Sequence, residues 1–350
     1  MIKTRITDLF QIKHPIMLAG MSWVTEPNLV AAVSNAGGLG ILGCAHLPPE
    51  ETGRKIAEIR ALTDKPFGIN QSLIRPWAKK NIEVAIAEKV PVINYAMGRP
   101  WFIEQVHEYG GKVVGTIAIA KHAVKSAEMG VDAIVVTGHE AAAHGGAATS
   151  LVLIPVVSSQ VKLPLIAAGG FSDGAGLAAA LALGADAISM GTRFAVTQES
   201  MVHEHFKQMV IKSTEQDTLY SDVFDGLPNR VLKSPAADEQ LKGKFALTSA
   251  AGSAFEVKRM LRLSLWDFIL TSLKMMRGQE RLSILGQARQ AAYVMAVEKA
   301  IHEGDEQRGV LPAGQACGAI KDLPASKDLI ERIVGEAEQI LRNMPAKCYS

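Results

Sequence analysis

The chain has 350 residues, 48% of them hydrophobic, and a formal net charge of +2. That is enough apolar material for a large core and too little charge imbalance to point to a nucleic acid or an anionic membrane surface as partner. Its three cysteines, Cys44, Cys317 and Cys348, form neither a disulfide framework nor a metal-ligand spacing, which suits a reducing compartment. The amino-terminal MIKTRITDLFQIKHP has no apolar signal-peptide core, and no run of about 18 apolar residues spans a bilayer. A cytoplasmic location is therefore expected, with a small molecule as the partner and a homodimer left open.

In chain order, His14 to Ala19 is a first strand that ends at Gly20-Met21-Ser22. Thr25 is placed to cap the following helix, with Pro27 in its first turn and Gly37-Gly38 as its stop. Strand two is Leu39 to Gly43, followed by a helix from Pro48 to Leu62. Strand three is Phe67 to Ser72, with a helix around Ala78 to Glu88. Strands four, five and six are Val90 to Tyr95, Lys112 to Ile117 and Ala133 to Thr137. Short continuous apolar runs separated by helical segments are the pattern of a parallel sheet buried on both faces.

Leu163 to Ala168 is strand seven, and it breaks into Gly169-Gly170. Asp173 opens an Ala/Leu-rich helix closed by Gly184, and strand eight, Ala187 to Met190, breaks into Gly191-Thr192. Eight strands before residue 195 predict an α/β fold of the (β/α)8 TIM-barrel type. Glycines can simply make tight turns. Two such turns in consecutive units, at the loops after strands seven and eight, predict a phosphate cradle of bare backbone N–H groups.

After Phe194 the rhythm stops. Residues 197 to about 212 read as a helix, and Leu219 to Lys244 as turn-rich and irregular. From Phe255 to His302 the spacing of Met260, Leu263, Trp266, Ile269, Met275 and Met276 predicts long helices. The expected organisation is a barrel over 1–200, rejoined by 311–345, with a mainly helical lid or substrate segment over 201–310. Gly304 to Gln315 is a second glycine-bearing turn, placed to bring the chain back to the barrel mouth.

Side chains at the carboxyl ends of barrel strands project into the site. That rule nominates Met21, Ser22, Asn70 and Gln71, together with the loop Thr137 to Gly146. Within this loop His144 sits among small residues, where a flat ligand can approach, and an imidazole can take or give a proton near neutrality. His139 and Glu140 lie nearer the strand and could instead orient the loop. His203 and His205 invite a metal reading, but no third ligand stands at metal-site spacing, so no metal is expected. The dinucleotide fingerprint G-x-G-x-x-G is absent.

Together, GMSWV (20–24), NAGGLGILG (35–43), KPFGIN (65–70), GHEAAAHGG (138–146), the stretch from Ala167 to Phe194 and AGQ (313–315) resemble the nitronate monooxygenase family. That family includes the flavin-dependent enoyl-acyl-carrier-protein reductase II enzymes. The resemblance implies a barrel that binds FMN without covalent attachment. It implies Gly20, Met21 and Asn70 at the flavin ring with Ser22 beside them, Gly169, Gly170, Gly191 and Thr192 at the phosphate, Gln315 as a further contact, and His144 as the catalytic histidine. Where the family often has a glycine or two before that histidine, this chain has Ala141, Ala142 and Ala143.

Two redox chemistries follow from the resemblance. One is oxidation of alkyl nitronates with dioxygen, His144 holding the nitro group or acting as base; it names the family and is the leading expectation. The other is reduction of an enoyl thioester or a quinone with NAD(P)H as co-substrate, His144 stabilising an enolate oxygen. A non-redox barrel acting on a phosphorylated substrate is the third reading. It lacks a Schiff-base lysine or a metal cluster at a strand end.

Overall fold

The computed structural model describes residues 2–242 and 284–348; the stripe from Met260 to Met276 lies outside the described residues. After a short helix α1 (Arg5–Phe10), strands and helices alternate: β1 (Ile16–Leu18), α2 (Pro27–Asn35), β2 (Gly40–Gly43), α3 (Pro49–Leu62), β3 (Phe67–Ser72), α4 (Ala78–Ala87), β4 (Val92–Ala96), α5 (Ile103–Glu108) and β5 (Lys112–Ile117). The alternation continues through α6 (Ala120–Glu128), β6 (Ala133–Thr137), α7 (Ser150–Gln160), β7 (Leu165–Ala168), α8 (Gly174–Ala182) and β8 (Ala187–Met190). The eight strands pair in parallel in the order β1-β8-β7-β6-β5-β4-β3-β2. Leu18 N–H donates to the Leu39 carbonyl and Leu39 N–H to that of Ile16, both at 2.9 Å, which brings the last pair together and closes the barrel. The expected TIM barrel is the observed fold.

Alternation with period two sorts each strand into two cores. Met17, Ile41, Val92, Val114, Val135, Ile166 and Ala187 fill the barrel interior, whereas Ile16, Leu42, Ile93, Val113, Ile134, Leu165 and Ile188 pack outward with the helix layer. The floor of the interior is plugged by Ile6 and Phe10 of α1 and by Ile12. A capping box between Thr4 and Thr7 starts α1. Arg5 holds it down through two hydrogen bonds to the Asp186 carboxylate at 2.7 and 2.6 Å. The first strand thus follows a plug that the apolar pattern of MIKTRITDLF is too short to announce.

Past the barrel come α9 (Thr192–Ala195), α10 (Glu204–Lys212), an antiparallel hairpin of β9 (Thr218–Ser221) and β10 (Asn229–Leu232), and α11 (Pro235–Leu241). Then follow α12 (Ile284–Glu298), which runs into a π-helical turn at Lys299–Glu303, a 3-10 turn at Gln315–Ala319, and α13 (Ser326–Cys348). The helix expected from residue 197 begins only at Glu204. The stretch expected to be irregular carries the hairpin and α11, whose cap is Ser234, its side chain accepting from Ala237 N–H. Thr25 caps no helix. Its hydroxyl accepts from Met21 N–H at 3.1 Å and from Gly43 N–H at 2.8 Å, pinning the turn after β1 to the end of β2. Asp173 does cap α8, accepting from Gly176 N–H at 2.8 Å. The small residues of α8 let α13 lie close: a Cβ added at Gly174 would fall 2.3 Å from the Glu336 Cβ.

Candidate active site

The residues that face inward at the top of the strands are more polar than those below. Asn70 donates through Nδ2 to the Asn94 Oδ1, and Asn94 Nδ2 donates to Thr116 Oγ1 at 2.9 Å and to the Val114 carbonyl at 3.1 Å. A polar ladder therefore crosses β3, β4 and β5 just beneath the mouth. Ala19, Gly20, Asn70, Thr116, Thr137, Gly169 and Gly191 are all partly exposed, while the layer below them is buried. Gly20 packs directly on Asn70, where a Cβ would sit 2.2 Å from the asparagine Cβ. Met21 and Ser22 follow at the rim, and Trp23 closes their turn in the left-handed region at φ 62°. That is a costly conformation for a bulky side chain, of the kind that clusters at ligand sites. Gln71, nominated by the strand-end rule, faces the other way: it is buried and accepts from Asn81 Nδ2 at 3.0 Å.

Across the mouth, Gly169 and Gly170 have φ of 97° and 85°, which excludes most side chains. A Cβ at Gly170 would make an ordinary contact with Glu140 at 3.5 Å, and one at Gly191 would press on the Met21 sulfur at 3.3 Å and lie 3.7 Å from the Ala19 Cβ. Thr192 Oγ1 accepts from Gly314 N–H at 2.9 Å, and Gln315 N–H donates to the Glu140 carbonyl at 2.9 Å. The carboxyl-terminal turn thus joins the β6 loop to the β8 turn.

His144 lies in the loop after β6, partly buried, with Nε2 2.8 Å from the Asp225 Oδ2. Asp225 is 1% exposed, and its Oδ1 accepts from Leu227 N–H at 3.2 Å. A carboxylate in its ionised form only accepts, which suits Nε2 as the donor and leaves Nδ1 as the nitrogen that could accept. The loop is held from outside by the hairpin. Ala143 N–H donates to the Arg230 carbonyl at 3.2 Å and Arg230 N–H to the Ala143 carbonyl at 3.0 Å. The Arg230 guanidinium donates to the His139 carbonyl at 3.2 and 3.1 Å and to Thr218 Oγ1 at 2.9 Å. The Tyr220 hydroxyl donates to the Gly145 carbonyl at 2.8 Å. Burial pulls the Arg230 guanidinium down from its ordinary value. Ala143 itself sits at φ 56°, the one member of the alanine run in a conformation that glycine would adopt freely.

His139 and Glu140 orient. His139 Nδ1 lies 2.9 Å from the Gly146 carbonyl, and its ring packs edge-on to Tyr220. The Glu140 carboxylate accepts from Ser150 N–H at 3.0 and 3.1 Å and from its hydroxyl at 2.9 Å, so it anchors the start of α7. Asp225, Tyr220 and Arg230 are the residues that sequence reasoning missed, since each reaches the loop across 75 residues or more. Behind Asp225, Tyr293 of α12 donates to Asn229 Oδ1 at 3.4 Å; burial first, and then the Asp225 charge, push its phenol up. At the β2 rim His46 lies against Trp23 with ring centres 4.5 Å apart. Burial, with Lys55 and His302 adding repulsion, pushes that imidazole down to about 3.

His203 and His205 have structural roles: His203 Nδ1 accepts from His205 N–H, and His205 Nε2 lies 3.0 Å from the Glu306 carboxylate. Among the described residues no cluster of His, Cys, Asp or Glu could hold a metal ion, and no helix is long and apolar enough to cross a membrane. A cavity of about 300 Å³ between Phe10, Pro91 and Tyr109 opens at the opposite, amino-terminal face and contains none of these groups.

Comparison with known proteins agrees with this geometry. The family model for nitronate monooxygenase matches residues 3–80 and 73–336. A (3aS,4S,5R,7aS)-5-hydroxy-7a-methyl-1-oxo-octahydro-1H-indene-4-carboxyl-CoA dehydrogenase of Rhodococcus jostii (strain RHA1) is 38% identical over 340 residues, covering 96% of each chain. A probable nitronate monooxygenase of Staphylococcus saprophyticus is 30% identical over 281 residues, covering 67% of this chain and 79% of that one. Among solved structures, FabK from Thermotoga maritima superposes with a TM-score of 0.82 at 35% identity, covering 99% of this chain and 100% of that one. With a matching barrel, a glycine-lined mouth and a family model that spans nearly the whole chain, the protein belongs to the nitronate monooxygenase family of oxidoreductases.

Proposed function

We propose that the chain is an FMN-dependent oxidoreductase that works on the α,β carbon–carbon bond of a coenzyme A thioester, with His144 handling the α-proton. The observation that carries this reading is the His144–Asp225 pair, 2.8 Å apart with the aspartate buried. A preformed nitronate is already an anion and asks only for a group to bind it. Removing hydrogen from a thioester needs a base with a fixed tautomer, which a buried carboxylate supplies. The near full-length relative named as a CoA dehydrogenase supports the same substrate class, while the nitronate relative matches over a shorter stretch. Oxidation of nitronates, the leading expectation from the family name, therefore takes second place.

The mouth fits FMN. Gly170 and Gly191 leave room that a side chain would fill, and with Gly169 and Thr192 they would hold the phosphate. Gly20, Met21, Ser22 and Asn70 would border the ring, with Gln315 on the returning turn. FMN supplies the acceptor or donor of a hydride at the substrate β-carbon. His144 Nδ1 takes the α-proton, and Asp225 stabilises the imidazolium so formed, giving an α,β-unsaturated thioester; in the reverse direction the imidazolium returns the proton. The hairpin of β9 and β10 keeps the His144 loop in place.

The test is direct. The purified protein should be yellow and release about one FMN per chain, and an acyl-CoA thioester should bleach it anaerobically, or an enoyl-CoA should reoxidise the flavin after reduction by NADPH. A colourless protein that takes up no FMN rejects the flavin reading. Bleaching by alkyl nitronates with no response to any thioester restores the nitronate reaction.

A further inference from the structure

On the thioester reading just given, we propose that the loops after β3 and β4 form a second anion site that takes the adenosine phosphate end of coenzyme A. In the cyclic strand order β3 and β4 lie across the barrel axis from β7 and β8, whose glycine turns the proposed function gives to the flavin phosphate. An anion-favouring surface on the far rim therefore belongs to a different ligand. Residues 71–82 and 89–103 carry Arg75, Lys79, Lys80 and Arg99 in or beside these two loops and contain no acid, although Lys79 lies 3.8 Å from the Glu83 carboxylate one turn along α4.

The loops act as one surface. Leu73 N–H donates to the Ala96 carbonyl at 2.9 Å, and Leu73 packs against Gly98. Met97 and Gly98, at φ 54° and 109°, turn the chain sharply and leave Arg99 exposed beside the β3 loop. Two aromatic rings accompany the cations. Trp101 is 49% exposed, and its ring packs edge-on to that of the buried Phe102 at 5.4 Å. Lys80 Nζ lies 5.3 Å from the centre of the Trp77 ring. A half-exposed indole two residues from Arg99, on a rim that also carries Lys80, suits a purine that carries phosphates, since the ring stacks while the guanidinium and ammonium groups meet the anions. A plain solvated face would need neither ring. The flexible pantetheine arm would then run from this rim toward His144.

The probe is adenosine 3′,5′-bisphosphate, titrated calorimetrically into the FMN-loaded protein and into R99E, K80E and W101A. Binding to the wild type, weakened about tenfold by each charge reversal, is expected from the worth of a charged hydrogen bond. The ratio of kcat/KM for a CoA thioester to that for the same acyl group on N-acetylcysteamine, which lacks the nucleotide, should fall about tenfold in R99E. Displacement of the bisphosphate by coenzyme A identifies the thioester as its source; displacement by NADPH alone overturns that assignment. No binding to the wild type, equal binding by all variants, or an unchanged ratio of the two thioesters overturns the site. If no thioester reacts while the bisphosphate binds and R99E weakens it, the proposed reaction fails and the adenosine phosphate site stands.

Discussion

The two working sides of the barrel mouth are built on different principles. At β7 and β8 each glycine turn is a local device: the strand, its turn and the following helix are contiguous, and Asp173 caps α8 three residues from its partner. The loop of His144 is short of internal restraint and is fixed from a distance by Asp225, Tyr220 and Arg230. On the proposed reading, the flavin phosphate would be served by a rigid local cradle. The proposed proton-transfer group would be held in one tautomer by a separate, buried scaffold, which a change far along the chain can disturb.

Substitutions on each side should therefore separate flavin binding from turnover. The largest effect falls on His144→Ala, which should keep its FMN and lose roughly 10²- to 10⁴-fold in kcat, the usual worth of a positioned acid–base group. A variant that lost its flavin in parallel would merge the two sides into one. Asp225→Asn keeps the shape and removes the charge; kcat should drop roughly 10- to 100-fold with the flavin absorbance unchanged. Its test as a positioning residue is the pH–rate profile, which should move in Asp225→Asn and stay put in a control such as Asp222→Asn.

On the other side, Gly170→Ala should raise the FMN dissociation constant about tenfold, because a left-handed residue gains a Cβ in the cradle. The rate of the flavin-saturated enzyme should hardly change, and a large fall in that rate would deny the separation. The smallest effect concerns stability. Burial drives the His46 pKa to about 3, below its unfolded value near 6.5. The unfolded chain thus binds the extra proton first, and stability is lost as pH falls from about 6.5 toward 3. At pH 4.5 the difference is up to about 3 kcal/mol. Thermal melts of wild type and His46→Gln should converge as the pH is lowered, and a gap that widens instead would place the strain elsewhere.

Much of the barrel is legible in the sequence because its determinants are short-range. Apolar runs such as Ala133–Thr137 and Ala187–Met190 coincide with strands, and glycine pairs coincide with turns. Thr25 misled because a threonine before a proline reads as a cap, whereas the nearby bare N–H groups of Met21 and Gly43 compete for the same hydroxyl. Gln71 misled through parity alone, one residue beyond the inward Asn70. Asp225 sits before Gly226 in what reads as an exposed turn; its burial depends on Phe224, on the hairpin and on α12, none of them sequence neighbours of His144. The plug of Ile6 and Phe10 is hidden for a related reason, since a single helical turn has no period to detect.

The central claim, that the His144–Asp225 pair moves a substrate proton, is tested most directly by anaerobic stopped flow on the FMN-loaded protein. An acyl-CoA thioester deuterated at the α-carbon should bleach the flavin more slowly than its protiated form. His144→Ala should lose bleaching by the thioester while keeping whatever response it has to a preformed nitronate, which has no proton to give. Thioester bleaching at the wild-type rate in His144→Ala would contradict the account.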